Sequence, residues 1–255
     1  MTDNDIRDDE GHTEATDPML LPPTTARELL ADTPWHRFAV IGDSTAAGTG
    51  DPWPGYDEVP WADRLAATMT ATHPDFAYLN TGKIGATIGQ VRAEQVRSAL
   101  DFEPDLVHIS CGGNDLFLFD ADPHSVERDL EELCTTMATS GAQLSMFTLA
   151  DAFTGRLRAL RPRFIAFAEV VRRVAARHDA ILTDLWDHPA RFRQNWLSQD
   201  HIHLTMAGHA VVASEVTKSL AQSHRGTADG TPLPSIDHAH RGEVCRSGGC
   251  NPVEG

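Results

Sequence analysis

From residue 37 to residue 221, short apolar runs alternate with longer stretches in which apolar positions recur at helical spacing. Five runs, 37–42, 76–79, 105–111, 144–149 and 180–185, are bounded by turn residues and too short for helices, so they read as buried strands. Between them, Trp61, Leu65 and Met69 mark one face of a helix over 60–72, and Ile88, Val91, Val96 and Leu100 mark one over 87–102. Leu130, Leu133 and Met137 do the same over 124–139, an amphipathic helix follows over 164–177, and a last one spans 205–221. Strands alternating with helices of this length predict an α/β protein with a five-stranded parallel sheet covered on both faces. The expected domain is 34–222, without internal repeats.

The flanks break this pattern. Residues 1–33 carry nine acidic groups against two basic ones and are dotted with Thr and Pro. That composition predicts an acidic, largely disordered arm, with Thr25–Leu30 forming a turn of helix against the domain. Residues 223–255 are polar, Gly/Pro-rich and aperiodic, which predicts a tail.

A chain of 255 residues can bury a sizeable core. Its net charge of −16, from 21 basic and 37 acidic residues, argues against a nucleic-acid surface, which needs clustered Lys and Arg. No stretch approaches the roughly 18 apolar residues of a membrane span. The opening Thr2-Asp3-Asn4-Asp5 has the wrong charge for a secretory leader and no apolar segment follows, so a cytoplasmic location is expected. Cys111 and Cys134 lie in apolar surroundings and read as buried thiols. In the tail, His238, His240, Cys245 and Cys250 could supply zinc ligands, but their spacing matches no standard finger, and no metal or other cofactor is expected. Gly42–Gly50 is Gly-rich yet has no lysine and fits no nucleotide fingerprint. The basic run Arg156–Arg163 reads as a solvated loop; facing a site, it would suit an anionic acyl group.

The chemistry gathers at strand ends. Ser44 follows the first strand in Gly42-Asp43-Ser44. Taken alone it could simply cap a helix. Open α/β sheets, however, bind ligands at the carboxyl edge of their strands, where Ser44 would meet Gly85 after the second strand, Asn114 after the third and Asp200-x-x-His203 after the fifth. Serine needs a positioned base to act as a nucleophile, and His203 can be that base. Asp200 can accept from the other ring nitrogen and fix the tautomer. The N–H groups of Ser44 and Gly85, with the Asn114 amide, form a candidate oxyanion hole. Gly82 competes with Gly85, and His201 competes with His203, though the Asp-x-x-His spacing favours His203. In the loop 48–60 and just beyond it, Trp53, Tyr56 and Trp61 offer a candidate substrate wall; Trp61 reads equally as core beneath the next helix.

Gly-Asp-Ser-Thr at 42–45, Asn80 through Gly85, Gly-Gly-Asn-Asp at 112–115 and Asp-His-Ile-His at 200–203 stand in the order of the four blocks of the SGNH/GDSL hydrolase family, which this sequence resembles over roughly 36–222. Thr45 stands where the family often has Leu. The family's naming residues fall on Ser44, Gly85, Asn114 and His203, and His209 falls on a frequent family position in the last helix, read here as structural. The resemblance implies a flavodoxin-like three-layer α/β/α sandwich. It further implies metal-free hydrolysis of a small-molecule carboxylic ester or thioester through Ser44, or acyl transfer by the same route. A catalytically silent binding module is the alternative from another class.

Overall fold

The computed structural model describes residues 11–118 and 122–228. Five strands, β1 (Arg37–Gly42), β2 (Ala77–Asn80), β3 (Leu106–Ser110), β4 (Gln143–Phe147) and β5 (Ile181–Thr183), form one parallel sheet in the order β2-β1-β3-β4-β5. Alternate residues of a strand face opposite sides, and each side has its own core. Ala39, Ile41, Val107, Ile109, Leu144 and Met146 face one side. Helices α3 (Ile88–Glu94), α4 (Val96–Asp101), α5 (Pro123–Ala138) and α6 (Arg161–Arg177) cover that side. Phe38, Val40, Leu106 and Phe147 face the other, under α1 (Pro23–Leu30), α2 (Trp61–Thr72) and α7 (Met206–Ala228). This is the expected three-layer α/β/α sandwich.

Three elements depart from the pattern read in the sequence. The helix expected over 87–102 is two helices, parted at Gln95, whose φ of −113° departs from the helical value although its N–H still donates to Val91 O and its carbonyl still accepts from Ala99 N–H, while its side chain turns inward. Helix α6 starts three residues early, at Arg161, behind a 3₁₀ turn over Gly155–Leu160. Helix α7 continues through Ala228, so the first six residues of the expected tail are helical.

The expectation of a disordered arm fails from Gly11 onward. Asp17 is buried and pairs with Arg193 through two hydrogen bonds, 2.8 and 3.0 Å, and accepts a third from the Tyr56 hydroxyl at 2.8 Å. Burial pushes the Asp17 carboxyl up, but these partners outweigh it and hold the group below the ordinary range. Glu14 joins Arg64, its N–H reaches Gly55 O at 2.8 Å, and Leu21 N–H reaches Ser214 Oγ at 3.0 Å. Leu30 of α1 is fully buried in the α2/α7 core. Acidic composition suggested solvation; two of the acids, Glu14 and Asp17, instead meet a half-buried and a buried arginine. The tail residues His238, His240, Cys245 and Cys250 lie outside the described residues.

Candidate active site

At its carboxyl end β1 passes so close to β3 that a Cβ on Gly42 (φ +151°) would stand 1.9 Å from the Ser110 carbonyl oxygen. Only glycine fits there. Strand β2 has already ended at Asn80, and Gln95 fills the gap: Oε1 accepts from Gly42 N–H at 2.8 Å and Nε2 donates to Gly42 O at 2.8 Å, which also accepts the Lys83 N–H at 3.1 Å. The turn beyond is pinned on every side. Asp43 N–H donates to Ser110 O, Thr45 N–H to Asp43 Oδ1, and Thr49 N–H to Ser44 O. Ser44 is therefore no helix cap; it sits in a turn well before α2 starts at Trp61. Its own N–H has no acceptor among the described hydrogen bonds. The neighbouring Asp43 carboxyl is buried, which raises it to about 6 against the pull of the Thr45 N–H, with Asp115 pushing up and His203 pulling down.

The loop after β2 distinguishes its two glycines. Gly82 is demanded by close approach, since a Cβ there would lie 2.4 Å from Ala47 N, and its N–H is spent on Asn80 Oδ1 at 2.9 Å. Gly85 has open space around it and a positive φ of +77°, and its N–H has no acceptor among the described hydrogen bonds. Gly85 is thus the better donor. Asn114 opens a 3₁₀ turn after β3, and one Nδ2 hydrogen donates to Ala86 O at 3.0 Å, tying it to this loop and leaving the second hydrogen for a ligand. Asp115 Oδ2 accepts the Ile88 N–H at 3.1 Å and completes the seam.

His203 is held from two directions. Asp200 Oδ2 lies 2.6 Å from His203 Nδ1, and Asp200 Oδ1 accepts the N–H groups of Ile202 and His203 at 2.9 and 3.0 Å. Burial raises the Asp200 carboxyl, but those two N–H groups and the imidazole outweigh it and hold the group below its usual range. Asp51, which sequence reading missed, staples this loop from the other side: its N–H donates to Ser198 Oγ, its carboxylate accepts from Gln199 N–H, and its carbonyl accepts from Met206 N–H. His209 is fully buried; it accepts the Trp61 N–H on Nδ1 and donates from Nε2 to Thr49 O, which selects the neutral ring. Burial lowers it to about 4.

Ser44, Asn114, His203 and also His201 line one cleft at the carboxyl edge of the sheet, holding about 1110 Å³ counted out to its open mouth. Asp200 reaches it through His203. Gly85 stands exposed beside it, outside the lining. No hydrogen bond joins Ser44 to His203 among the described residues; such contacts often tighten only when a ligand arrives. Trp61 is a correction. It is 0% exposed, donates from Nε1 to Thr45 O at 2.9 Å and packs on His108 and Phe147, so it supports the Ser44 turn from the core and makes no substrate wall. The basic run does not serve the cleft either: Arg161 pairs with Asp151, Arg163 donates to the Leu116 and Leu118 carbonyls, and no Lys or Arg is among the lining residues. Among the described residues no cluster of three or more His, Cys, Asp or Glu could hold a metal ion, and no helix is long and apolar enough to cross a membrane.

Residues 40–211 match the model of the GDSL-like lipase/acylhydrolase family, and the chain belongs to that family of hydrolases. No curated protein matches it in sequence. Among solved structures it is similar to LAE5, an α/β hydrolase enzyme from the metagenome of Lake Arreo, Spain, with 25% identity and a TM-score of 0.60 over 72% of this chain and 96% of that one. It is similar also to TesA (23% identity, TM-score 0.56, 72% and 97% covered). A third is Axe2, an acetylxylan esterase from Geobacillus stearothermophilus (19% identity, TM-score 0.57, 72% and 94% covered).

Proposed function

We propose that this chain is a serine esterase that cleaves carboxylic esters or thioesters through an acyl-enzyme on Ser44. The observation that carries the reading is the facing of Ser44, Asn114 and an Asp200-oriented His203 onto one cleft. Axe2 has catalytic mutants at a serine, an aspartate and a histidine, the last two three residues apart, as Asp200 and His203 are.

Ser44 Oγ attacks the acyl carbonyl carbon as His203 Nε2 takes its proton; Asp200 keeps Nδ1 protonated and the ring in place. The carbonyl oxygen gains the negative charge and is held by the N–H groups of Ser44 and Gly85 and by the free Asn114 amide hydrogen, donors that need no reorganisation. As the tetrahedral species collapses, the bond to the leaving alcohol or thiol breaks and His203 protonates it. Water, activated by His203, then attacks the acyl carbon and releases the acid and Ser44.

Two substitutions test this on a purified chain given short aryl esters. Ser44→Ala abolishes turnover, and Asn114→Ala lowers kcat by ~10²–10³ while circular dichroism stays unchanged. An Asn114→Ala variant of full activity removes that amide from the mechanism. A wild type inert to esters, and to a fluorophosphonate at Ser44, gives the chain to the binding-module reading instead.

A further inference from the structure

The cleft does not end at Ser44. Away from the polar groups it continues beneath the loop after β4 and onto α6, where its walls are Met146, Phe117, Phe153, Leu157, Phe164 and Phe167. Exposure falls along this path, from 41% at Phe117 to 3% at Phe164 and 5% at Phe167. Phe153 stacks on Phe164 at 4.3 Å between ring centroids, and Phe117 meets the same ring edge-on at 5.8 Å. The inner ring abuts the strand ends: a Cβ on Gly112 (φ +112°) would lie 2.5 Å from Phe167 Cζ, so the absence of a side chain two residues before Asn114 lets this ring sit there. The ionisable lining residues (Asp43, the buried Cys111 and the histidines 201, 203 and 209) come from the Ser44 turn, the end of β3, the His203 loop and α7, and none comes from α6 or the loop before it.

We propose that this limb is an acyl pocket, and that the substrate carries an uncharged, straight hydrocarbon acyl chain longer than acetyl. Phe167 forms the floor, and Leu157, on the 3₁₀ turn over the pocket, sets the usable chain length. The proposal rests on the esterase reading for the placement of the carbonyl at Ser44. A pocket walled by carbon gains about 0.8 kcal/mol for each methylene taken out of water, close to fourfold in kcat/KM. An anionic acyl group would find no cation there.

The test uses the full chain and 4-nitrophenyl esters from acetate to decanoate. Wild type should gain about fourfold per methylene until the pocket fills, so that octanoate exceeds acetate by about a hundredfold or more. Leu157→Trp, which puts an indole into the limb, should cut the octanoate-to-acetate ratio at least about tenfold. Phe153→Ala, on the half-buried loop, should move the optimum to longer chains, and it serves where Leu157→Trp does not fold. Independently of turnover, Ser44→Ala titrated calorimetrically with sodium butyrate and sodium octanoate should bind octanoate on the order of a hundredfold more tightly. A flat ester profile with equal binding of the two acids overturns the pocket and leaves the esterase standing. Octanoate selected by a chain whose Ser44 reacts with no ester overturns the esterase and leaves the pocket. A ratio untouched by both the Leu157 and Phe153 substitutions overturns the assignment of this limb.

Discussion

Gly42 gives up its side chain to lie against Ser110, and with β2 ended, its N–H would have no partner without Gln95. A buried unpaired donor costs about 1–3 kcal/mol. Gln95→Ala should therefore lower the unfolding free energy by about that amount, read as a shift in the urea midpoint at unchanged slope. The residues that meet at the cleft were legible because the chemistry fixes their types and their spacing to strand ends. Gln95 was not: an amide within an amphipathic stretch leaves the apolar period intact, so nothing local shows that its side chain turns inward. Trp61 was open to two readings for the same reason, because an aromatic at a helix start looks alike from either side. Its indole N–H on Thr45 O decides for the core.

Among elements, the five strands and the helices α2 and α5 appeared where the apolar periods put them, since each sheet face packs against helices whose inner positions are equally apolar. The segment from Gly11 to Pro22 did not, because its anchoring contact spans 176 residues, from Asp17 to Arg193. No local pattern can report a partner that distant. The pair is buried on both sides, with side chains 0% and 6% exposed. Removing one member of a buried pair strands the other's charge, at a cost of about 3–5 kcal/mol. Arg193→Met should thus destabilise strongly in urea, and Asp17→Leu added to it should recover part of the loss, a coupling that a double-mutant cycle measures.

For the whole molecule, stability should depend on pH through groups locked inside it. Burial holds His108 at about 3 and His209 at about 4, whereas both titrate near ~6.5 in an unfolded chain. The stability they contribute is complete above ~6.5 and is lost as pH falls through these folded values. Asp43, raised to about 6 from an unfolded value near 3.8, acts in the opposite sense and favours folding more as pH falls. Near pH 5 the unfolded state binds two protons on the histidines and the folded state one on Asp43. These three groups then give a slope of about 1.4 kcal/mol per pH unit, with stability rising as pH rises. His108→Phe, between Trp61 and Phe147, should remove about one proton from that slope in urea unfolding series at pH 4–6. The arm and the last helix carry a different consequence. Family likeness spans 40–211, but β1 begins at Arg37, Leu30 is seated in the core, and Val212, Val216 and Leu220 are buried beyond the likeness. The unit that must travel together in any fusion, truncation or transplant of this hydrolase is longer at both ends than the stretch its relatives make recognisable.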